Sequence, residues 1–352
     1  MSCVLNINRF LIPNDVIVDL SDIYQYIGEN TEVRNTASSE LNTIIDQTVE
    51  KDAYYLSKIL GLDISDARTR LILNKNSNPR NKEENTLYNL KDILSSFQRE
   101  SDRLPLQTNE FLNEINYVFN HYSKVRYDFV STKKRSVLQG EGDRSKRLLL
   151  DEIIQEMNNI LRTRKFERII LYLHFFIDFY NIKPFYSSSY NNVNDVASLL
   201  LLYNLMIKSN LECFHYVSFF ELIYEELPSF KEELSNIAFN WDEGYAQTLG
   251  FVRFIMNIIL TAYERNYKLM KDYKFDKNFK KQENIENTIM GMTKEFSKED
   301  IRAIHPYVSE STINRSLISL RDKGFIAPTG KGRSAKWIKL ERKRKHNNYE
   351  KM

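Results

Sequence analysis

The stretch "NIKPFYSSSYNNVNDVASLLLLYNLM" (residues 181–206) decides how this chain is read. Its middle, Lys183 to Asn194, is polar and carries Pro184. Before it lies "IILYLHFFIDFY" (169–180) and after it "VASLLLLYNLMI" (196–207), both apolar almost throughout. A helix that is apolar on every face is buried on every face. The pattern therefore predicts two core helices, at about 165–181 and 193–209, joined by a short polar loop. Loops on such scaffolds are where binding and catalytic groups tend to sit. Yet between Lys183 and Asn194 there is no carboxylate, histidine or cysteine.

Working outward, 352 residues allow two or three domains. Hydrophobic residues make up 42%, charged residues 28%, and the net charge is +3, an ordinary balance for a soluble chain with a large core. No run reaches the ~18 apolar residues that a membrane span needs. "MSCVLNINRF" (1–10) lacks the basic start and apolar core of a secretory signal. The expectation is a cytoplasmic protein with no membrane partner. Cys3 and Cys213 make no CxxC pair and are expected to be reduced thiols. Five histidines without ligand spacing predict no metal site. Only 10 glycines and 7 prolines interrupt long apolar periodicities, which predicts a mainly α protein.

Residues 1–44 read as an irregular N-terminal segment, and 45–273 as a helical domain. "SSELNTIIDQTVEKDAYYLSKIL" (38–60) has helical spacing, with Ser38 or Ser39 as cap. The chain breaks at Gly61, restarts at Ser65, and passes a polar loop (74–85) containing Pro79. Amphipathic helices are predicted over 86–100 and 107–124, and another over about 147–162. "VRYDFVSTKKRSVLQGEGDRSK" (125–146) has short alternating runs and a glycine-bearing end, and reads as a small β-hairpin or flap. Two further stretches, 217–240 and 244–273, extend the helical body, with Trp241 read as a helix start. His174 reads as a core histidine with Asp178 one turn on. The basic, polar 274–284 reads as a linker.

Charge is uneven. Residues 283–352 hold 15 Lys and Arg against 9 Asp and Glu, whereas the rest of the chain holds 35 against 38. A basic end on a near-neutral body points to an acidic partner such as nucleic acid. "FSKEDIRAIHPYVSESTINRSLISLRDKGFIAPTGKGRSAKWIKLE" (296–341) supplies the detail. Ser297 caps a helix with Asp300 closing a capping box. Ser309 or Ser311 caps a second helix, striped by Ile313, Leu317 and Leu320 and ended by Gly324. Strand, basic glycine turn and strand follow. This is the order of a winged helix-turn-helix domain, expected over 285–341 with a basic tail over 342–352. The second helix would offer Ser309, Ser311, Thr312, Asn314 and Arg315 at its N-terminal end, where hydroxyls and amides bind phosphate and Arg315 is long enough to reach a base edge. The wing would offer Lys331, Arg333 and Lys336. The same fold also serves purely protein contacts, in which case those three charges are solvated surface.

With these pieces in order, the body resembles the Fic family, whose members usually transfer AMP from ATP to protein hydroxyls. The family pattern is a helix ending in His-Pro-Phe, then any residue, Asp or Glu, Gly-Asn-Gly-Arg, two residues, Arg, and a leucine-rich helix. Here the spacing fits without a gap, but the residues differ. Lys183-Pro184-Phe185 stand at His-Pro-Phe, Ser187 at the acid, and Ser188-Ser189-Tyr190 at Gly-Asn-Gly. Asn191 and Asn194 stand at the two arginines. Upstream, many members carry an inhibitory helix with Ser/Thr, three residues, Glu, Gly. The matching stretch "LSKILG" (56–61) has Leu56 and Leu60 at those positions and keeps only Gly61. The 125–146 segment sits where the resemblance places a substrate-aligning flap, and a C-terminal winged helix is a frequent attachment.

The resemblance implies a general base at position 183, but an ordinary lysine, with pKa ~10.4, is protonated at neutral pH. Ser187 carries no charge for Mg²⁺, and Tyr190 adds bulk where glycine admits phosphate. Neither Asn191 nor Asn194 neutralises phosphate charge. Losing a base alone costs about 10²–10⁴ in rate. The sequence therefore predicts a mainly α, Fic-like chain without AMP transfer, needing no cofactor, and acting on DNA through its winged helix, with a protein partner or a homodimer as further possibilities. A divergent nucleotidyl or phosphoryl transferase using ATP and Mg²⁺, with Lys183 on phosphate, is a second reading. A protein-binding inhibitor of a partner enzyme is a third. Lys183 with the hydroxyls of Ser187, Ser188 and Ser189 also forms a candidate anion site at the next helix N-terminus.

Overall fold

The computed structural model describes residues 2–36, 41–75, 77–99, 107–119, 125–130, 145–278, 281–306, 308–330 and 336–340. Among them are fourteen α-helices and two small antiparallel sheets, so the chain is mainly α as expected. It divides into two compact units. One comprises Met1–Arg34 with Ile45–Asn266, and the other Asn35–Ile44 with Tyr267–Met352. No helix among the described residues is long and apolar enough to cross a membrane.

The first unit is built around the two apolar helices, α7 (Arg168–Ile182) and α8 (Val193–Lys208). Every α7 residue from Ile169 to Phe179 is buried, and so is every α8 residue from Val196 to Ile207. The all-round apolar pattern is therefore satisfied on all sides. Around this pair stand α4 (Lys82–Arg99), α6 (Lys146–Thr163) and α10 (Leu227–Ala238).

The N-terminal segment is not irregular. After a short 3₁₀ turn at Ile7–Arg9, α1 runs over Asn14–Thr36. Its core side is Val16, Leu20 and Ile23, spaced four and three residues apart. Asp15 pairs with Arg253 at 2.6 Å, and Tyr26 stacks on Tyr263 with ring centroids 5.3 Å apart.

Next comes α2 (Leu41–Ile59); its proposed caps, Ser38 and Ser39, lie outside the described residues. It ends as expected at Gly61, whose φ of 67° suits the left-handed residue after a helix. The Leu62 N–H closes onto the Ser57 carbonyl at 3.0 Å, completing a Schellman turn. Helices α3 (Asp66–Lys75) and α5 (Thr108–Val118) follow their expected positions. The first strand, β1 (Arg126–Tyr127), pairs with β2 (Phe185–Tyr186), and Phe129 bridges Ser145. The rest of the flap, 131–144, lies outside the described residues.

Helix α9 (Phe219–Glu225) and α10 replace the single stretch read over 217–240, because Pro228 starts a new helix. Trp241 does not start a helix. It lies in the turn before α11 (Thr248–Asn278), with its indole on Asp178. The stretch read as a linker is helical to Asn278 and again from Lys281, where α12 (Lys281–Gly291) begins. No glycine or proline interrupts 251–290, which explains the continuity.

The second unit continues with β3 (Glu295–Phe296), α13 (Lys298–Ile304), α14 (Glu310–Asp322), β4 (Ile326–Pro328) and β5 (Trp337–Lys339). The three strands form one antiparallel sheet in the order β3-β5-β4. Its core gathers Ile289, Phe296, Ile301, Ile313, Leu317 and Trp337. From α13 on, the order helix, helix, strand, strand is the one read from the sequence, whereas α12 and β3 before it were not expected.

Candidate functional site

The loop from Lys183 to Asn192 is held by side chains and by the segment that holds β1. Lys183 closes α7 in the left-handed region, φ 48°, with its N–H on the Phe179 carbonyl. Its side chain is exposed. Its carbonyl accepts from Lys146 Nζ at 3.1 Å, and the same ammonium meets Asp128 at 2.9 Å. The Asp128 N–H donates to the Pro184 carbonyl at 2.9 Å. Phe185 is buried against Phe111, Tyr127 and Phe179. The flap base is thus fastened to the loop by strand pairing, a lysine strap and an aromatic cluster.

Asn194, at the resemblance's second arginine, clamps the Phe185 peptide. Its Oδ1 accepts from Phe185 N–H at 2.9 Å and its Nδ2 donates to the Phe185 carbonyl at 2.8 Å. Ser187, at the acid position, accepts from the N–H groups of Ser189 and Tyr190, each at 3.2 Å. In a phosphate nest such amides point at the ligand; here a side-chain oxygen already occupies two of them. The Tyr190 ring packs on buried Phe119 with centroids 4.3 Å apart, and Lys82 lies over it at 6.0 Å. Ser188, Ser189 and Asn191 are exposed. Lys183 and Ser187 are therefore brought into one loop, but the Ser187 oxygen serves the turn rather than open space. Among the described residues no group of histidines, cysteines and carboxylates is arranged to hold a metal.

At the matching inhibitory-helix positions, Leu56 is fully buried and Leu60 half-buried. Leu60 lines a cleft that also takes in Asn192 and Asp195 at the start of α8. Neither Asn191 nor Asn194, the positions matched to the two arginines, lines that cleft.

Two buried aspartates form joints that the sequence did not reveal. Asp178 accepts from Ser2 Oγ, the N–H groups of Cys3 and Val4, and Trp241 Nε1, at 2.5–2.9 Å. Burial raises its pKa, and these donors oppose the rise. Asp52 on α2 accepts from Ser218 Oγ at 2.6 Å and from Phe220 N–H and Tyr203 Oη at 3.0 Å. Burial pushes its pKa up to about 7 against those same donors. Apart from Trp241, 63 residues from Asp178, their partners lie more than 150 residues away, so no local signal marks them. His174 is a core histidine as read: it meets the Ile170 carbonyl at 2.8 Å, and burial pushes its pKa down to about 4.

In the second unit, the Ser297–Asp300 capping box forms as expected. Ser309 caps α14 by accepting from the Thr312 N–H, with the hydroxyls of Ser311 and Thr312 each 2.9 Å away. At the other end Gly324, φ 73°, lets the Phe325 N–H reach the Leu320 carbonyl at 2.9 Å. Ile313, Ser316, Leu317 and Leu320 face the core, so Ser311 and Arg315 share the outer face, with Asn314 half-exposed beside them. Arg315 makes no ion pair with the described residues, and its Nε touches only the Ser311 carbonyl at 3.4 Å. Glu310 is exposed in the same first turn. Lys336 is exposed and pairs with Glu295 at 3.3 Å, a surface pair of the kind worth about 0–1 kcal/mol. Lys331 and Arg333 lie outside the described residues.

No protein-family model matches the sequence, and a search of curated proteins finds no relative. A crystal structure of a Fic family protein from Desulfovibrio desulfuricans G20 is similar in fold. The TM-score is 0.52 at 13% identity, over 95% of this chain and 98% of that one. At that identity the likeness is one of fold: the chain is a mainly α protein with a Fic-like fold.

Proposed function

We propose that this chain is a DNA-binding regulator with a Fic-like body that no longer transfers nucleotides. The observation that carries the DNA reading is the outer face of α14. Ser311 and Arg315 are presented together at the N-terminal half of a capped helix, and no carboxylate among the described residues neutralises Arg315. A helix so displayed, in a helix-turn-helix order, is what enters a major groove. Lys331, Arg333 and Lys336 would add phosphate contacts from the wing. Against a transferase stands the loop at 183–194. Ser187 fills two amides that a phosphate would need, and Asn194 is committed to Phe185. On this reading ATP and Mg²⁺ have no role.

The test is titration of the full chain with DNA from upstream of its own gene, across a salt series. A DNA affinity whose logarithm falls linearly with log salt, slope about −0.9 per phosphate contact, supports the reading. Tight binding of ATP with Mg²⁺, and none of DNA at low salt, would return the chain to the transferase class.

A further inference from the structure

We propose that the helical body binds a free α-amino acid with an apolar side chain, in the cleft between the end of α2, α7, the first turn of α8, and α10. The cleft measures about 220 Å³ and is walled by Leu60, Phe176, Tyr180 and Phe230. This wall is part of the core. Phe176 lies 6.0 Å from Tyr180 and 5.1 Å from Phe251, on which Phe230 also packs at 6.5 Å. Phe176 and Phe230 are both buried, so their rings are fixed by packing and hold the cleft's shape. An apolar cavity of roughly 150 Å³ takes up benzene. This one has room for a ring or branched chain and the few heavy atoms beyond it.

Asp195 of α8 and Lys231 of α10 line the same cleft, and both are exposed. Among the described residues no ion pair joins them to each other or to a third group. Asp195 lines the cleft together with Tyr180 of the aromatic wall, and after burial its charge raises the Tyr180 pKa. One carboxylate and one ammonium at a single apolar mouth are the complement of a zwitterion. The ligand's ammonium meets Asp195, its carboxylate meets Lys231, and its side chain lies on the rings. A nucleotide fits poorly, because Asp195 opposes phosphate and the volume is small. Asn192, the last residue of the 183–192 loop, also lines the cleft, so occupancy bears on the loop to which β1 is paired. The site stands whether or not the chain binds DNA.

The experiment is calorimetric titration of the full chain with L-phenylalanine, L-leucine, phenethylamine (no carboxylate) and 3-phenylpropionate (no ammonium). It is repeated on Asp195→Asn and Lys231→Met, with circular dichroism as the check on folding. Both side chains are exposed, so core packing is left alone. The expected Kd for the better amino acid lies between about 10 μM and 1 mM. Wild type should prefer phenylalanine over each truncated analogue by roughly twofold to fivefold, the effect of one solvated charge pair. Lys231→Met should abolish the preference over phenethylamine, and Asp195→Asn the preference over 3-phenylpropionate. No binding of either amino acid at about 10 mM, equal binding of phenylalanine and phenethylamine by wild type, or preferences that survive both substitutions would each overturn the proposal.

Discussion

Asn194→Ala should destabilise the helical body by about 2–3 kcal/mol. The side chain returns both hydrogen bonds of one peptide residue, at 2.9 Å and 2.8 Å. That residue, Phe185, is only 2% exposed, so water replaces neither partner freely. Two neutral hydrogen bonds contribute roughly 0.5–1.5 kcal/mol each, and a buried group left unsatisfied costs about 1–3 kcal/mol. The upper part of that range is cut because Asn194 is itself only half-buried. The two tryptophans make the assay clean. In a Trp337→Phe background, Trp241 alone reports, and its indole is anchored in the body on Asp178 at 2.9 Å. Urea unfolding of this background with and without Asn194→Ala gives the difference. Asn191→Ala is the control: it removes an exposed side chain at the other arginine position and should change stability by no more than about 0.5 kcal/mol. Asn194→Arg, which puts the arginine of the resembling Fic pattern at this position, should cost as much as alanine and give no AMP transfer. Equal stability for Asn194→Ala and Asn191→Ala would refute the clamp that Asn194 makes on the Phe185 peptide.

Asp52 makes stability depend on pH with a definite sign. Its folded pKa is raised from 3.8 to about 7, so the native state holds a proton that the unfolded chain gives up. Stability is fully present below about pH 4 and is lost as pH rises towards 7, by on the order of 4 kcal/mol for this group. Urea midpoints across that window should fall with pH from this source, and Asp52→Asn should flatten the profile. Lys183→Gly removes a side chain from the left-handed region while keeping the N–H bond to Phe179, and should raise the melting temperature by the equivalent of about 1 kcal/mol. An unchanged or lower melting temperature would show that the exposed lysine side chain holds something in place.

Much of the fold is legible because its signals are local. The buried pair α7 and α8 follows from apolar runs with no polar face, and the ends of α2 and α14 follow from Gly61 and Gly324. The capping box at Ser297 and Asp300 spans only four residues. Helix α1 escaped because its apolar stripe is thin: Val16, Leu20 and Ile23 among many polar residues, with Ile17 and Val18 exposed and blurring the period. The 274–284 stretch is polar enough for a linker, yet it has no breaker, and continuity of the helix prevailed. The loop between α7 and α8 is legible from the apolar runs on either side, whereas its internal bonds are not. That Ser187 would turn back on Ser189 and Tyr190, and Asn194 on Phe185, depends on how the loop closes. The joints at Asp178 and Asp52 depend on the whole fold, since their partners come from chain segments far away.

The most direct test of the regulator reading is one ratio: affinity for a duplex enriched from a random library by the full chain, over affinity for random duplex. It is measured at near-physiological salt for wild type and for Arg315→Ala. The expected ratio for wild type is on the order of 10³ or more. In Arg315→Ala it should fall by roughly tenfold to a hundredfold at one base position, with helicity unchanged. A wild-type ratio near one, unmoved by Arg315→Ala, would contradict DNA recognition by α14.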